Sequence, residues 1–400
     1  MKKTLLISML IMALAASFAI GSAKAVDWPK MLVSVSGGHT SPGHIVPLAW
    51  TPKHQKDAGV TWRVIGAAAT AERINWLKSG KAQFYYREWH SLGQDIEVGE
   101  GYEQDKSGQT RLRITIHGFP QWFGACVYAD RGIKTIKDIK PGTTFVVPVA
   151  ATTVVHFYNA FRRYLNMTEK ELIMIGHASF PGAYRSFGQG QADLVNTSPD
   201  SPGTLRWKEG PHGLIVLNWP EDPEAEKRFA EYLPDVPFGI VKRGPKEFHG
   251  IRMPVNYWSA TSLASLDAEV VYNIVKWIDQ NYDNLKNLTI ECQDMTLDNL
   301  REALDYAYTG VHDGTIRYLK EKGMWTSADD ARQKYNVWLN DRYIEVYSAA
   351  MKEAKAKGWQ IAPDQKEWVQ FWRDYKKKSG LPRVRIMKDA EITAALKNIK

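Results

Sequence analysis

The stretch Ile65-Gly66-Ala67-Ala68-Ala69-Thr70-Ala71-Glu72-Arg73-Ile74-Asn75-Trp76-Leu77-Lys78-Ser79-Gly80-Lys81-Ala82-Gln83-Phe84 lies without a gap on Ile175-Gly176-His177-Ala178-Ser179-Phe180-Pro181-Gly182-Ala183-Tyr184-Arg185-Ser186-Phe187-Gly188-Gln189-Gly190-Gln191-Ala192-Asp193-Leu194. Ile, Gly, Ala, Gly and Ala are identical in the two copies, where chance gives about one match in such a length. Each copy closes an apolar run with Ile-Gly, passes through a helix-length stretch and turns at glycine into another apolar run. Upstream of each lies a further strand-like run that feeds a loop of small residues: Leu32 to Val35 before Ser36-Gly37-Gly38-His39-Thr40-Ser41, and Phe145 to Val147 before Pro148-Val149-Ala150-Ala151-Thr152-Thr153. Strands alternating with helix-length segments over the first 240 residues predict a parallel α/β arrangement. Two such related halves predict two lobes facing each other across a cleft.

The chain begins like an exported one. Lys2 and Lys3 precede an apolar stretch from Leu5 to Ile20, and Ala23-Lys24-Ala25 offers the small residues of a cleavage site, with cleavage expected after Ala25. A spanning helix needs about 20 apolar residues; this stretch is shorter, and no later one qualifies, so the mature chain is expected not to be membrane-embedded. Without Lys2, Lys3 and Lys24 the formal charge falls from +8 to +5. The remaining basic residues are scattered apart from Lys376-Lys377-Lys378, which excludes a nucleic-acid footprint. Two cysteines, Cys126 and Cys292, make no disulfide framework and no cysteine metal site, and whether they meet is left open. His39 and His44 stand five apart in a loop with no Cys, Asp or Glu nearby to complete a first shell, so neither metal nor cofactor is expected.

Helix periodicity is legible in several places. Val154, Phe157, Tyr158, Phe161 and Leu165 share one face of a helix that Thr152 or Thr153 can cap. Ile133 to Ile139 reads as a short helix before the turn Lys140-Pro141-Gly142. Val270, Ile274 and Ile278 mark another helix, Leu297, Leu300 and Leu304 one starting near Thr296, and Tyr335, Trp338, Ile344 and Tyr347 a long one through Ala356. These aromatic stripes read as packing faces and not as membrane contacts.

The order of these signals resembles the TAXI family, the extracytoplasmic solute receptors of tripartite ATP-independent periplasmic (TRAP) transporters. The resemblance rests on the Ser36-Gly37-Gly38-His39-Thr40 loop, Gly80-Lys81-Ala82-Gln83, His117-Gly118-Phe119-Pro120, and Ala129-Asp130-Arg131-Gly132-Ile133 with Asp138-Ile139-Lys140-Pro141-Gly142. It continues through Gly190-Gln191-Ala192-Asp193 and His312-Asp313-Gly314-Thr315-Ile316-Arg317-Tyr318, and covers about residues 30 to 325. It implies a type II periplasmic binding-protein fold: two α/β lobes around a central cleft, here with a helical C-terminal extension. On that basis residues 1–25 are a signal peptide, 26–123 the first part of lobe 1, 124–240 lobe 2, 241–325 the return crossing and further lobe 1 helices, and 326–400 the extension.

The function so implied is that of a non-enzymatic periplasmic receptor that binds a small polar, carboxylate-containing solute between its lobes and delivers it to a TRAP permease. The candidate ligand-binding residues are Gly37, Gly38, His39, Thr40 and Ser41 in the first loop, Thr70 and Arg73 on the next helix, and Tyr85, Glu88 and Trp89 after the Gly80 turn. His117 and Trp122 flank the crossing, while Thr152, Thr153, Arg185, Thr197 and Asp200 come from lobe 2. Glycines let backbone approach a ligand, hydroxyls donate, and open helix N-termini receive a carboxylate. Glu88 and Asp200, one acid from each lobe, raise the expectation of a cationic or donor-bearing part on the solute, with Tyr85 or Trp89 covering an apolar portion. A ligand-sensing receptor for a membrane signalling protein, or a small-molecule enzyme on the same scaffold, are the alternative readings. The nucleophile elbow Gly-x-Ser-x-Gly of a serine hydrolase is absent from the sequence.

Overall fold

In the computed structural model, which describes residues 26–39, 41–67, 70–99, 102–103 and 110–399, the two copies of the repeat occupy equivalent places in two sheets. In lobe 1, β1 (Met31–Ser36) lies parallel to β2 (Thr61–Gly66) and β3 (Phe84–Glu88), joined by α1 (Pro42–Ala58) and α2 (Thr70–Lys78). After α3 (Trp89–Glu97) comes β4 (Leu112–Trp122), which crosses through Phe123 into β5 (Gly124–Tyr128) of lobe 2. There β6 (Thr143–Pro148), α4 (Thr152–Tyr164), β7 (Leu172–His177), α5 (Phe180–Gly188) and β8 (Leu194–Thr197) repeat the lobe 1 sequence of elements. The segments α6 (Pro202–Lys208), β9 (Leu214–Val216) and α7 (Pro223–Phe229) follow, then β10 (Phe238–Ile240) and the long return strand β11 (Arg252–Leu263).

The strand orders match. Lobe 1 runs β2-β1-β3-β11-β4 and lobe 2 runs β7-β6-β8-β5-β9, with the crossing strand antiparallel in each. That shared order, with each lobe receiving a strand from the other side of the crossing, is the type II periplasmic binding-protein fold.

The sequence identities have structural causes. Gly80 and Gly190 both sit in the left-handed region, φ 71° and 73°, where a side chain is strained. Ala82 and Ala192 are both buried. Even the non-identical pair Gln83 and Asp193 does one job: Gln83 Oε1 accepts from Val33 N of β1 at 2.9 Å and Asp193 Oδ2 accepts from Thr144 N of β6 at 2.9 Å, each anchoring the first strand of its repeat. The apolar face of α4 is buried on the lobe 2 sheet, with Phe157 and Phe161 stacked parallel at 6.0 Å and Trp219 closing the other side. The segment Ile133–Ile139 forms only a single 3₁₀ turn, Ile136–Asp138: Thr135 and Asp138 make a capping box at its start, the Asp138 carboxylate accepting from Thr135 N–H at 2.8 Å, and the backbone is already extended at Ile139 ahead of Pro141. Cys126 and Cys292 are free and buried.

The C-terminal third is helical. The elements α8 (Ala268–Gln280), α9 (Tyr282–Leu285), α10 (Leu297–Leu304) and α11 (Asp313–Glu321) belong to lobe 1, and α12 (Ser327–Ala356) is followed by α13 (Lys366–Lys378) and α14 (Asp389–Leu396). Asn336 on α12 donates to the carbonyls of Ala307 and Thr309, and on α13 the indoles of Trp368 and Trp372 donate to Glu103 O and Val98 O, fastening both helices to lobe 1. The segment 381–388 between α13 and α14 then runs as a strap between the lobes. Its Pro382 carbonyl accepts from Tyr343 on α12, while Ile386 N donates to Pro234 O at 3.1 Å and Arg383 to Glu231 O at 3.0 Å. Glu231 is bound to lobe 2 through Arg163 of α4. Among the described residues, no helix is long and apolar enough to cross a membrane.

Candidate binding cleft

Ligands of open α/β sheets sit beyond the C-terminal ends of the strands, which makes the loops after β1, β2 and β3 of lobe 1 and those after β6, β7 and β8 of lobe 2 the candidate walls of a cleft. On the lobe 1 side the loop after β1 folds back through Ser41 N to Gly38 O at 2.8 Å. Gly38 is exposed, and a Cβ added there would touch nothing within 4 Å. His39 is exposed and meets the buried His44 at 3.2 Å between ring nitrogens; burial, and then His39, hold His44 below the usual histidine range. Ser41 stands at the cap position of α1, yet its hydroxyl takes no helix N–H. Thr40 lies outside the described residues, as do the side chains of Thr70 at the start of α2 and His117 in β4.

Arg73 is the cation of this wall. Its Nη1 donates to the Tyr85 hydroxyl at 2.5 Å and lies 4.0 Å from the point a Cβ on Gly37 would occupy. Tyr85 is fully buried between two guanidinium groups, Arg73 at 5.3 Å and Arg87 at 4.5 Å from its ring, and Arg87 is paired with Asp95 at 3.2 Å. Trp89 is equally buried, donating to Ser259 Oγ at 2.8 Å. The expectation that Tyr85 or Trp89 covers a solute is therefore corrected: apolar burial turns both inward, and Tyr85 positions Arg73 instead.

On the lobe 2 side, Thr152 and Thr153 do not cap α4. Ala151 takes the cap position, and the two threonines are the first residues inside the helix, half-buried. The reason is local: the backbone already turns at Ala151, whose N–H donates to Pro148 O at 2.9 Å. By contrast Ser179 caps α5 and Ser201 caps α6, each accepting a backbone N–H at 3.3 Å. Helices α1 and α4, one from each lobe, thus present N-termini that no capping side chain serves. Thr197 is buried in a hydroxyl cluster with Ser201 and Thr204 at 2.9 Å, and Arg185 is exposed on α5.

Glu88 is half-buried at the end of β3. Asp200 is not a free acid: its Oδ2 receives Arg243 Nε at 2.6 Å, and Ser198 donates to its other oxygen. Arg243, in the return crossing and only 5% exposed at its side chain, also binds Asp294 of lobe 1 and lies 5.8 Å and 5.6 Å over the rings of Phe119 and Trp122. The expectation of Asp200 as a partner for a cationic solute is corrected accordingly, since both its oxygens are already engaged, by Arg243 and Ser198.

A second junction escaped the sequence. His90 Nδ1 lies 3.0 Å from both oxygens of Asp235, and its Nε2 lies 3.2 Å from His156 Nδ1, joining α3 of lobe 1 to α4 of lobe 2. All three side chains are buried. Their separations, 66 and 145 residues, leave no local pattern to read. Burial, and then His90, lower the His156 imidazole to about 4, with Asp235 opposing and Arg383 reinforcing; burial also lowers His54, which Asp57 opposes, to about 4. Both folded values lie below the unfolded one, so the unfolded chain binds more protons between pH 6.5 and 4. Stability is thus full above about pH 6.5 and falls with acidification, by up to about 3 kcal/mol per histidine. Thermal melts taken between about pH 7.5 and about pH 4.5 check this; a flat profile contradicts it.

The model of the NMT1-like family matches residues 237–323 of this chain, from β10 through α11. No curated protein matches it. Among solved structures, the BvgS VFT2 domain of Bordetella pertussis is similar at 13% identity, covering 65% of this chain and 91% of that one, with a TM-score of 0.41. Substrate binding domain 2 of GlnP from Lactococcus lactis is similar at 13% identity, covering 67% of this chain and 98% of that one, with a TM-score of 0.38. ArgBP from T. maritima is similar at 13% identity, over 64% of this chain and 93% of that one, with a TM-score of 0.37. The fold follows from the strand order, independently of these similarities.

Proposed function

We propose that this chain is an extracytoplasmic solute receptor, exported by its first 25 residues, that closes two lobes on a small carboxylate-bearing molecule and passes it to a TRAP permease. The observation that carries the carboxylate reading is the pair of uncapped helix N-termini, α1 and α4, on opposite walls, with Arg73 beside the first. Each such end carries about half a positive charge; α1 begins at Pro42, which has no N–H, and His44 and Ile45 donate to Ser41 O, so α1 offers the Gly43 N–H and α4 those of Thr152 and Thr153. A carboxylate placed between them meets donors from both lobes at once. The closed state then gains affinity that the open state lacks, which is what drives closure. Gly37 and Gly38 keep side chains out of the approach, and Ser41, Thr152 and Thr153 add hydroxyls.

The test is calorimetric titration of the purified mature chain with a panel of mono- and dicarboxylic acids, hydroxy acids and amino acids. Arg73→Gln is expected to weaken binding of any acid that binds by about 10- to 100-fold, the value of a hydrogen bond to a charged group. Tyr85→Phe, which frees Arg73 from its anchor, weakens it less. An affinity unaltered by Arg73→Gln would remove Arg73 from the site, and a panel with no binder would remove the carboxylate reading.

A further inference from the structure

Where α3 of lobe 1 meets α4 of lobe 2, the contact is a pair of imidazoles. His90 Nε2 and His156 Nδ1 face each other at 3.2 Å, and both side chains are buried. Asp235 enters from the segment between α7 and β10, with both oxygens 3.0 Å from His90 Nδ1. Room is kept for it: a Cβ on Gly93, one turn after His90 on α3, would fall 2.7 Å from Asp235 Oδ2 and 3.0 Å from the ring of Tyr308. The strap pins the same place. Ile386 N donates to Pro234 O, next to Asp235, and the Arg383 guanidinium joins Glu231 O at 3.0 Å to the Glu97 carboxylate of α3 at 3.5 Å. The titratable and charged groups facing His156 are thus His90 from α3, Asp235 from the segment before β10 and Arg383 from the strap.

Counting protons shows what this contact tolerates. A carboxylate only accepts, so the proton of neutral His90 resides on Nδ1, and its Nε2 accepts from His156 Nδ1–H. One added proton is accommodated: His90 becomes an imidazolium beside Asp235, its Nε2–H donates to His156 Nδ1, and the His156 proton moves to Nε2. A second is not. Both facing nitrogens then carry hydrogen at a separation of 3.2 Å, where neither can accept. Two buried imidazolium charges then stand against the Asp235 carboxylate, with Arg383 adding to the repulsion.

We infer that this contact is a proton-operated latch, which holds the two lobes together at neutral pH and parts them once His90 and His156 are both protonated. Opening relieves the clash because it separates the two rings and gives His156 to water. The latch is independent of which solute the lobes hold. Its sign follows from the closed state: burial, and then His90, with Arg383 reinforcing and Asp235 opposing, bring the His156 imidazole from 6.5 down to about 4. The closed form therefore binds fewer protons than the open one, so closure is fully favoured above about pH 6.5 and is lost as the pH falls toward about 4. Between about pH 7.5 and about pH 4.5 the ratio of open to closed protein rises about 70-fold, enough to turn an open fraction of about 2% into a majority.

Small-angle scattering of the mature chain, without added solute, tests this. From about pH 7.5 to about pH 4.5 the radius of gyration is expected to rise while the far-UV circular dichroism stays constant, which separates opening from unfolding. His156→Asn keeps an N–H for His90 and takes up no proton, so its radius is expected to stay constant over the same range. The latch is overturned by a constant radius in the unmodified chain, by one that grows only as the circular dichroism is lost, or by an equal rise in His156→Asn. Should His156→Asn not fold, the histidine ring resonances of the unmodified protein decide. Protonation of His156 that tracks the radius supports the latch, and a rise completed while His156 is still neutral refutes it.

Discussion

Arg243→Met lowers the stability of this protein by about 3–5 kcal/mol, the cost of leaving buried charge without its partner. Arg243 is the single cation between Asp200 of lobe 2 and Asp294 of lobe 1 in this cluster, at contact distance from both. Burial already pushes the Asp294 carboxyl up, and Arg243 is the chief force opposing that. Methionine keeps the packing over Phe119 and Trp122 but removes the charge, so the two acids must either repel in a dry setting or take up protons. The measurement is thermal melting at neutral pH, with a fall of about 10 °C expected at roughly 2–4 °C per kcal/mol. The triple variant Arg243→Met, Asp200→Asn, Asp294→Asn is expected to recover most of the loss, because an ion cluster replaced as a whole is often neutral. A loss below about 1 kcal/mol in the single variant would show that the cluster is solvated and not a junction between lobes.

Gly118→Ala is expected to be worse. A Cβ at Gly118 would fall 1.1 Å from the carbonyl oxygen and 2.2 Å from the carbonyl carbon of Trp258 on β11, both backbone atoms that cannot rotate away. The β4–β11 register already shifts between Trp258 and Ala260, so the two strands pass closer here than a regular ladder allows. Accommodating one methyl group means parting the strands that lead into both crossings. The expected loss exceeds about 4 kcal/mol, at the extreme of single substitutions, and is read as failure to recover folded protein or as a collapse of the urea midpoint. The comparison variant Gly38→Ala, where nothing lies within 4 Å, should melt within about 1 kcal/mol of the unmodified chain.

Gly118 also marks how far the sequence could be read. Gly80 and Gly190 were visible as aligned turns, because a positive φ is a local constraint that forces one residue type; Gly118 was visible only as part of the His117-Gly118-Phe119-Pro120 resemblance, its constraint being set by Trp258 on a distant strand. Helix faces such as Val154-Phe157-Tyr158-Phe161 were visible because burial repeats along the chain. Thr152 was misread as a cap since the residue types at a helix start do not say which of them turns the backbone. Asp200 was misread as free because its partner Arg243 is 43 residues away, and Arg243, His90, His156 and Asp235 drew no notice for the same reason. Their meaning exists only after the lobes meet. The strap 381–388 was illegible in another way: it holds itself by individual backbone contacts with α12 and with residues 231–234, so it needs neither a period of two nor of 3.6.

That strap has a bearing on the order in which the protein can assemble. Its partners in lobe 2 lie some 150 residues earlier in the chain, Arg383 and Glu231 being 152 apart, so it is synthesised well after them. Each lobe has its own sheet and its own buried aromatic residues before residue 326 has appeared, so both can form before the tail is made. Until residues 381–388 arrive, the ties between the lobes are their crossing strands and the Arg243 and His90–His156 contacts. The strap's fastening is a late event, and a chain clipped before Leu381 would carry two finished halves that lack this third tie.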